Sequence, residues 1–151
     1  MQGLGLCLWL VCAKLHPWHS IVREVRERLN LKSNCRPHIR LKSHLKLTEI
    51  SAAPHRARCS IRGGLFTVTT NIPGWPPVHT IEFPVELDNN DQHDLHLSLV
   101  HRVGTVPFTK TDTDKVQAIL DEHTGWKECV VYPIIAHAGK PDPATWRDIT
   151  P

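Results

Sequence analysis

The chain has 151 residues, 40% of them hydrophobic and 22% charged, with a formal net charge of +3. This is the composition of a globular domain large enough for a real core, which excludes a disordered tail. The charge excludes a coat held to nucleic acid by bulk charge alone, while an anionic substrate stays compatible with it. In chain order, Gly3 to Ala13 is a continuous apolar run read as a buried first strand. It is far too short to span a bilayer. A signal-peptide core ending at Val11-Cys12-Ala13 is the alternative, but no Lys or Arg precedes the run. Pro17 suits the first turn of a helix whose Ile21, Val22, Val25 and Leu29 recur at helical spacing and which ends at Asn30. A strand from Pro37 to Leu41 follows. Thr48 to Pro54 is compatible with a turn of helix or a loop.

Arg58 to Ile61 and Leu65 to Asn71 read as strands of a hairpin around Gly63-Gly64. Pro73 to Pro77 is a rigid loop. Val78 to Leu87 is a strand that Pro84 places at an edge or bulge. Asp88 to Asp91 is a turn, and Leu95 to Val103 is another strand. Thr109 to Asp112 offer caps for a helix with Val116, Ile119 and Leu120 on its apolar face, ending near Gly125. Cys129 to Ala136 is a buried strand, Gly139 to Pro143 a turn, and Trp146 to Ile149 a last strand. The pattern is α+β in one domain, residues 1–151, with two roughly similar halves.

Cys7, Cys12, Cys35, Cys59 and Cys129 are odd in number and include no C-x-x-C pair. They form neither a disulfide framework nor a zinc ribbon, and are read as buried free thiols in a reducing compartment. Histidine is the anomaly, at eleven residues against one tyrosine. Two of them open alternating strands: Pro37-His38-Ile39-Arg40-Leu41 and Leu95-His96-Leu97-Ser98-Leu99. Period two puts His38 with Arg40 on one sheet face and His96 with Ser98 on one face. If the strands are neighbours, two imidazoles, a guanidinium and a hydroxyl share one wall of a cleft.

On these residues the chain resembles the two-histidine (2H) phosphoesterase superfamily, which includes 2′-5′ RNA ligase-like proteins and cyclic nucleotide phosphodiesterases. The family's mark is a pair of His-x-Thr/Ser-apolar motifs, one per lobe of a bilobal α+β fold. "LGLCLWLVCAKLHPWHSIVREVRERLNLKSNCRPHIRL" is similar to the opening strand, helix and first motif strand, and "LHLSLVHRVG" to the second motif. The closing helix, strand and Trp146 also fit. Arg40 departs from the family, which places Thr or Ser there. His44-Leu45-Lys46-Leu47 is an alternative first motif that departs equally and lacks the preceding proline.

The resemblance implies a bilobal fold with a central cleft and phosphodiester chemistry with no cofactor and no metal. Of His38 and His96, one would act as general base while the other acts as general acid, each with the ordinary pKa of about 6.5 that suits neutral pH. Ser98 and Arg40 would hold phosphate oxygens, Arg40 bidentately or else as a solvent-facing strand residue. The substrate would be a cyclic nucleotide phosphate or a 2′-5′ or 2′,3′-cyclic RNA phosphodiester. Trp75 and Phe108, both in loops, are candidates for stacking on a base, the alternative for a loop aromatic being a packing plug. His101 and Arg102 follow the second motif and are read as solvated, with a role at the cleft rim as the alternative, and His79 is read as structural. The chain is expected to be cytoplasmic and monomeric, with no membrane and no obligate protein partner.

Two rivals remain. A metal enzyme would draw on the histidines, for which His93 with His96 and Asp91 is the nearest cluster, but recognised ligand spacings are missing. A catalytically inactive nucleotide- or RNA-binding module on the same fold would explain Arg40 as decay of a site.

Overall fold

The computed structural model describes residues 4–32, 36–44, 46, 56–88, 94–138 and 146–148. Among them the chain forms β1 (Gly5–Cys12), α1 (Pro17–Arg28), β2 (His38–Lys42), β3 (Ala57–Ile61), β4 (Phe66–Thr70), β5 (Val78–Leu87), β6 (Leu95–Val103), α2 (Lys110–Asp121), β7 (Glu128–Ala138) and β8 (Arg147–Asp148). All strand pairings are antiparallel, so the architecture is α+β. Neighbours run β1-β2-β6-β5-β3-β7, and β7 also pairs with β1, so six strands close a circuit, with β4 added to β5 and β8 to β7. No helix among the described residues is long and apolar enough to cross a membrane.

Local chemistry sets the helix ends. His16 caps α1: its Nδ1 accepts from the Trp18 N–H at 3.2 Å, while its Nε2–H donates to the Glu128 carbonyl at 2.9 Å, tying the helix start to β7. Pro17 occupies the first turn, where its missing N–H costs nothing. At the other end Asn30 takes φ 54°, the left-handed conformation that Asn tolerates. The Leu31 and Asn30 N–H groups then bond back to the carbonyls of Arg26 and Glu27, closing a Schellman turn. A reciprocal capping box of Thr109 and Asp112 starts α2. Both helices pack on one face of the sheet. Trp18, Ile21, Val22 and Val25 meet Val116, Ile119 and Leu120 over Leu10, Ile39, Ile81, Phe83, Leu97 and Leu99. Cys7, Cys12, Cys59 and Cys129 are free and buried, and Cys35 lies outside the described residues. The same holds for Thr48 to Pro54, the Asn89 to Asp91 part of the turn, Gly139 to Pro143, and Ile149 of the last strand.

One expectation about strand pairing is corrected. β3 and β4 do not form a hairpin; both lie along the same edge of β5. Ile61 faces Val85 and Phe66 faces Glu82, so five steps on one strand are matched by three on β5, and Gly63-Gly64 is the bulge between. Of the two readings of Pro84, the bulge holds and the edge does not: β5 has β6 on one side and β3 with β4 on the other. Pro84 is tolerated because it sits at that interruption, its carbonyl accepting from the Arg62 N–H at 2.8 Å.

The interruption gives a test with its own control. A Cβ on Gly63 would lie 2.8 Å from Pro84 Cγ, a ring atom with little freedom to move, whereas nothing lies within 4 Å of one on Gly64. Gly63→Ala is therefore expected to cost about 1–3 kcal/mol by overpacking. Gly64→Ala should change stability by no more than about 0.5 kcal/mol. Urea denaturation reads both, and equal losses would contradict the bulge opposite Pro84.

Candidate active site

β2 and β6 are adjacent, with His38 directly opposite Ser98 and Ile39 opposite Leu97. Alternation then sorts the faces. Ile39, Leu97 and Leu99 enter the helix-side core, while His38, Arg40, His96 and Ser98 line one cavity of about 170 Å³ on the other face. The row continues through β5, where Glu82 faces Ser98, and into β4, where Phe66 faces Glu82. Trp9 of β1, Thr80, His101 and Trp146 complete the parts of the wall that matter chemically.

His38 is almost fully buried. The indole of Trp9 stacks on it at 3.7 Å and 7°, and the His101 ring lies parallel on it at 5.5 Å. Its Nδ1–H donates to the Arg36 carbonyl at 2.8 Å, which makes Nε2 the lone-pair nitrogen. Burial is the main reason its pKa is lowered to about 4; the Arg40 and Arg36 guanidinium charges lower it further, against the hydrogen bond to Arg36. The expectation of two ordinary imidazoles is thus corrected for His38, which is neutral at pH 7.

His96 has a different setting. Its Nδ1 lies 3.1 Å from Glu82 Oε1, and the Phe66 ring meets it edge-on at 4.8 Å. The other carboxylate oxygen of Glu82 accepts from Thr80 Oγ1–H at 2.8 Å and from Ser98 Oγ–H at 2.9 Å. The Ser98 hydroxyl, expected to hold phosphate, is therefore given to Glu82 in this structure. Arg40 is exposed at the rim, and Glu82 and Asp94 supply two carboxylates to the same wall.

Of the two readings of His101, the structure excludes the solvated one and puts the side chain at the cleft. It is 4% exposed and lines the cavity. The cause is a bulge: Val100 faces Ile81 and Ser98 faces Glu82, which leaves Leu99 as an extra residue on β6. The bulge reverses the parity of the strand, so His101, rather than Val100 or Arg102, joins His96 and Ser98. Burial also pushes its pKa well below the ordinary value, helped by its neighbours His38, Arg26 and Arg40.

Trp75 and Phe108 do not line the cavity. Trp75 closes the turn Ile72-Pro73-Gly74-Trp75, in which Gly74 needs φ 80°, and its ring lies 6.3 Å from that of Trp146. It backs the wall through Trp146. Phe108 is in the helix-side core, 6% exposed, with the Arg102 guanidinium 4.4 Å over its ring. Its loop carries it to the wrong side of the sheet for stacking on a ligand in this cavity. His79 braces three segments, its Nε2–H donating to the Gly104 carbonyl at 2.8 Å and its Nδ1 accepting from Thr69 Oγ1–H at 2.9 Å. β2 ends at Lys42, so His44 is not on a strand. Asp91 and His93 lie outside the described residues, and among the described ones no group of three or more His, Cys, Asp or Glu is placed to hold a metal ion.

Sequence reasoning missed Trp9, Thr80 and Glu82. The last two carried a signal: once His79, Ile81 and Phe83 are put on one face of β5, Thr80 and Glu82 must take the other.

Two buried neutral histidines make the fold acid-sensitive. Above pH 6.5 the folded and unfolded chains are both neutral at His38. Below it the unfolded chain binds a proton that the folded one refuses until about pH 4. Stability therefore falls as pH drops through that window, by on the order of 3 kcal/mol from His38 if fully realised, with His101 acting in the same direction. Urea midpoints at pH 7 and pH 5 should differ in that sense. His38→Phe, which removes the titrating group, should flatten the difference, and an unchanged slope would contradict it.

No family model matches the chain, and no curated protein and no solved structure matches it.

Proposed function

We propose that the chain is a metal-independent phosphodiesterase of the two-histidine phosphoesterase type. Its fold would be the bilobal one of that family, and it would act, as a cytoplasmic monomer, on a cyclic nucleotide phosphate or a 2′-5′ or 2′,3′-cyclic RNA phosphodiester. The observation that carries this reading is that His38 and His96, from strands separated in the chain by nearly sixty residues, line one cavity with Arg40 and Ser98. A cavity of about 170 Å³ is smaller than the roughly 300 Å³ at which whole drug-sized ligands begin to be enclosed. It suits the phosphodiester and one adjoining group, with the rest of the substrate outside.

In this mechanism His38, neutral and with its lone pair on Nε2, takes a proton from the attacking water. The water oxygen bonds to phosphorus and the bond to the leaving oxygen breaks. His96, in the doubly protonated form whose Nδ1–H faces Glu82, gives its Nε2 proton to that oxygen and is left neutral with the other proton on Nδ1, so the product is a phosphomonoester and a free hydroxyl. Arg40 offers a two-pronged donor to the non-bridging oxygens, where charge builds up. Ser98 joins it only by turning its hydroxyl away from Glu82.

That same hydrogen bond favours a second reading, a nucleotide- or RNA-binding module without catalysis. The Ser98 hydroxyl is engaged elsewhere, and the Glu82 and Asp94 carboxylates offset the Arg40 charge. Incubating the purified chain with 2′,3′-cyclic nucleotides and with 2′-5′ oligoadenylate, with and without chelator, separates the two. Turnover equal in both conditions is expected. Binding without turnover would favour the module, and turnover lost in chelator and restored by zinc or manganese would overturn metal independence.

A further inference from the structure

Of the two carboxylates in the cavity that the two-histidine reading does not use, one is buried. Glu82 is 8% exposed, in the middle of β5. Burying a carboxylate is costly unless donors meet it, and two hydroxyls do. The hydroxyls of Thr80 and Ser98 fix Oε2 at 2.8 and 2.9 Å, which aims Oε1 at His96 Nδ1, 3.1 Å away. Register maintains the arrangement, since Glu82 faces Ser98 across the β5–β6 ladder and Thr80 shares its face of β5.

We propose that Glu82 is the positioning residue for His96: it holds the imidazole proton on Nδ1 and thereby presents Nε2 to the substrate. An acceptor-only carboxylate admits just the Nδ1–H form of a neutral ring beside it. Ser98 is then the anchor of Glu82 in the resting site, a part different from the phosphate donor that the motif implies. The kinetic part of this proposal rests on the phosphodiesterase reading; the placement of the proton does not.

The test is ¹⁵N NMR of the His96 ring in the full chain, alongside kinetics on whichever phosphodiester the wild type turns over. Wild-type neutral His96 is expected to carry its proton on Nδ1. In Glu82→Leu the acceptor is gone, and the proton should move largely to Nε2. In Glu82→Gln the amide oxygen still accepts from Nδ1–H while its NH₂ faces hydroxyls able to accept, so the Nδ1–H form should persist. Glu82→Leu should lower kcat by about 10- to 10⁴-fold, the span seen when such a partner is removed, with KM within a few-fold. Glu82→Gln should recover most of that. An Nε2–H ring in the wild type, an unmoved proton in Glu82→Leu, or a loss that Gln does not rescue would each overturn the proposal. If Glu82→Leu does not fold, the wild-type spectrum decides alone. If the wild type turns over no phosphodiester, the phosphodiesterase reading fails and the NMR result still stands for or against Glu82.

Discussion

His38→Ala and His96→Ala are each expected to slow phosphodiester turnover by about 10²–10⁴-fold, the usual contribution of a general acid or base. The two losses should differ in their pH dependence. His38 works as a base only when unprotonated, and burial lowers its pKa to about 4. The wild-type rate should therefore not fall through loss of the base between pH 7 and pH 5; that limb belongs near pH 4, insofar as the fold survives there. Ser98→Ala should cost less than either histidine, because Arg40 still faces the phosphate and Thr80 still anchors Glu82. Circular dichroism must show each variant folded. Near-wild-type turnover in a folded His38→Ala protein would mean that the first motif is not part of the machinery.

Trp9→Ala should produce the largest loss of stability around the site, about 3–5 kcal/mol for truncating a buried tryptophan. Trp9 is 2% exposed and belongs to the small core that Cys7, Val11, Ile134, Ala136 and Ala138 form on the cavity side of β1 and β7. It also lies flat on His38. Because burial is the main cause of the low His38 pKa, removing the indole should admit water and move the titration of His38 upward from about 4 toward 6.5. Trp9→Phe should keep most of the stability and shift the titration less. NMR titration of His38 with urea denaturation of the same variants reads both effects. A His38 titration unmoved by Trp9→Ala would show that the indole does not desolvate the ring.

Much of this was legible in the chain because the deciding chemistry is local. Alternation in Pro37–Leu41 and Leu95–Leu99 assigns the faces of β2 and β6, and the helix ends follow from Pro17, Asn30 and the Thr109–Asp112 box. Errors arose where the outcome depends on a distant partner. Gly63-Gly64 reads as a turn, yet β5 is long enough to take β3 and β4 end to end, and no residue near the glycines announces that. The extra residue at Leu99 reverses the parity of β6 and brings His101 into the cavity, while strict period two would have left it on the core side. Phe108 looks like a free loop aromatic until the core closes over it. Glu82 is the instructive omission: its face was determined by Ile81 and Phe83, but its partners Ser98 and His96 are on another strand.

The pairing of the two histidines is tested most directly by a double-mutant cycle on turnover in excess chelator, comparing wild type, His38→Ala, His96→Ala and the double variant on one 2′,3′-cyclic nucleotide. Groups that act together in one step are strongly non-additive. The double variant should therefore be little slower than the worse single one. Losses that multiply, or a histidine whose removal leaves turnover intact in a folded protein, would contradict a working pair in this cavity.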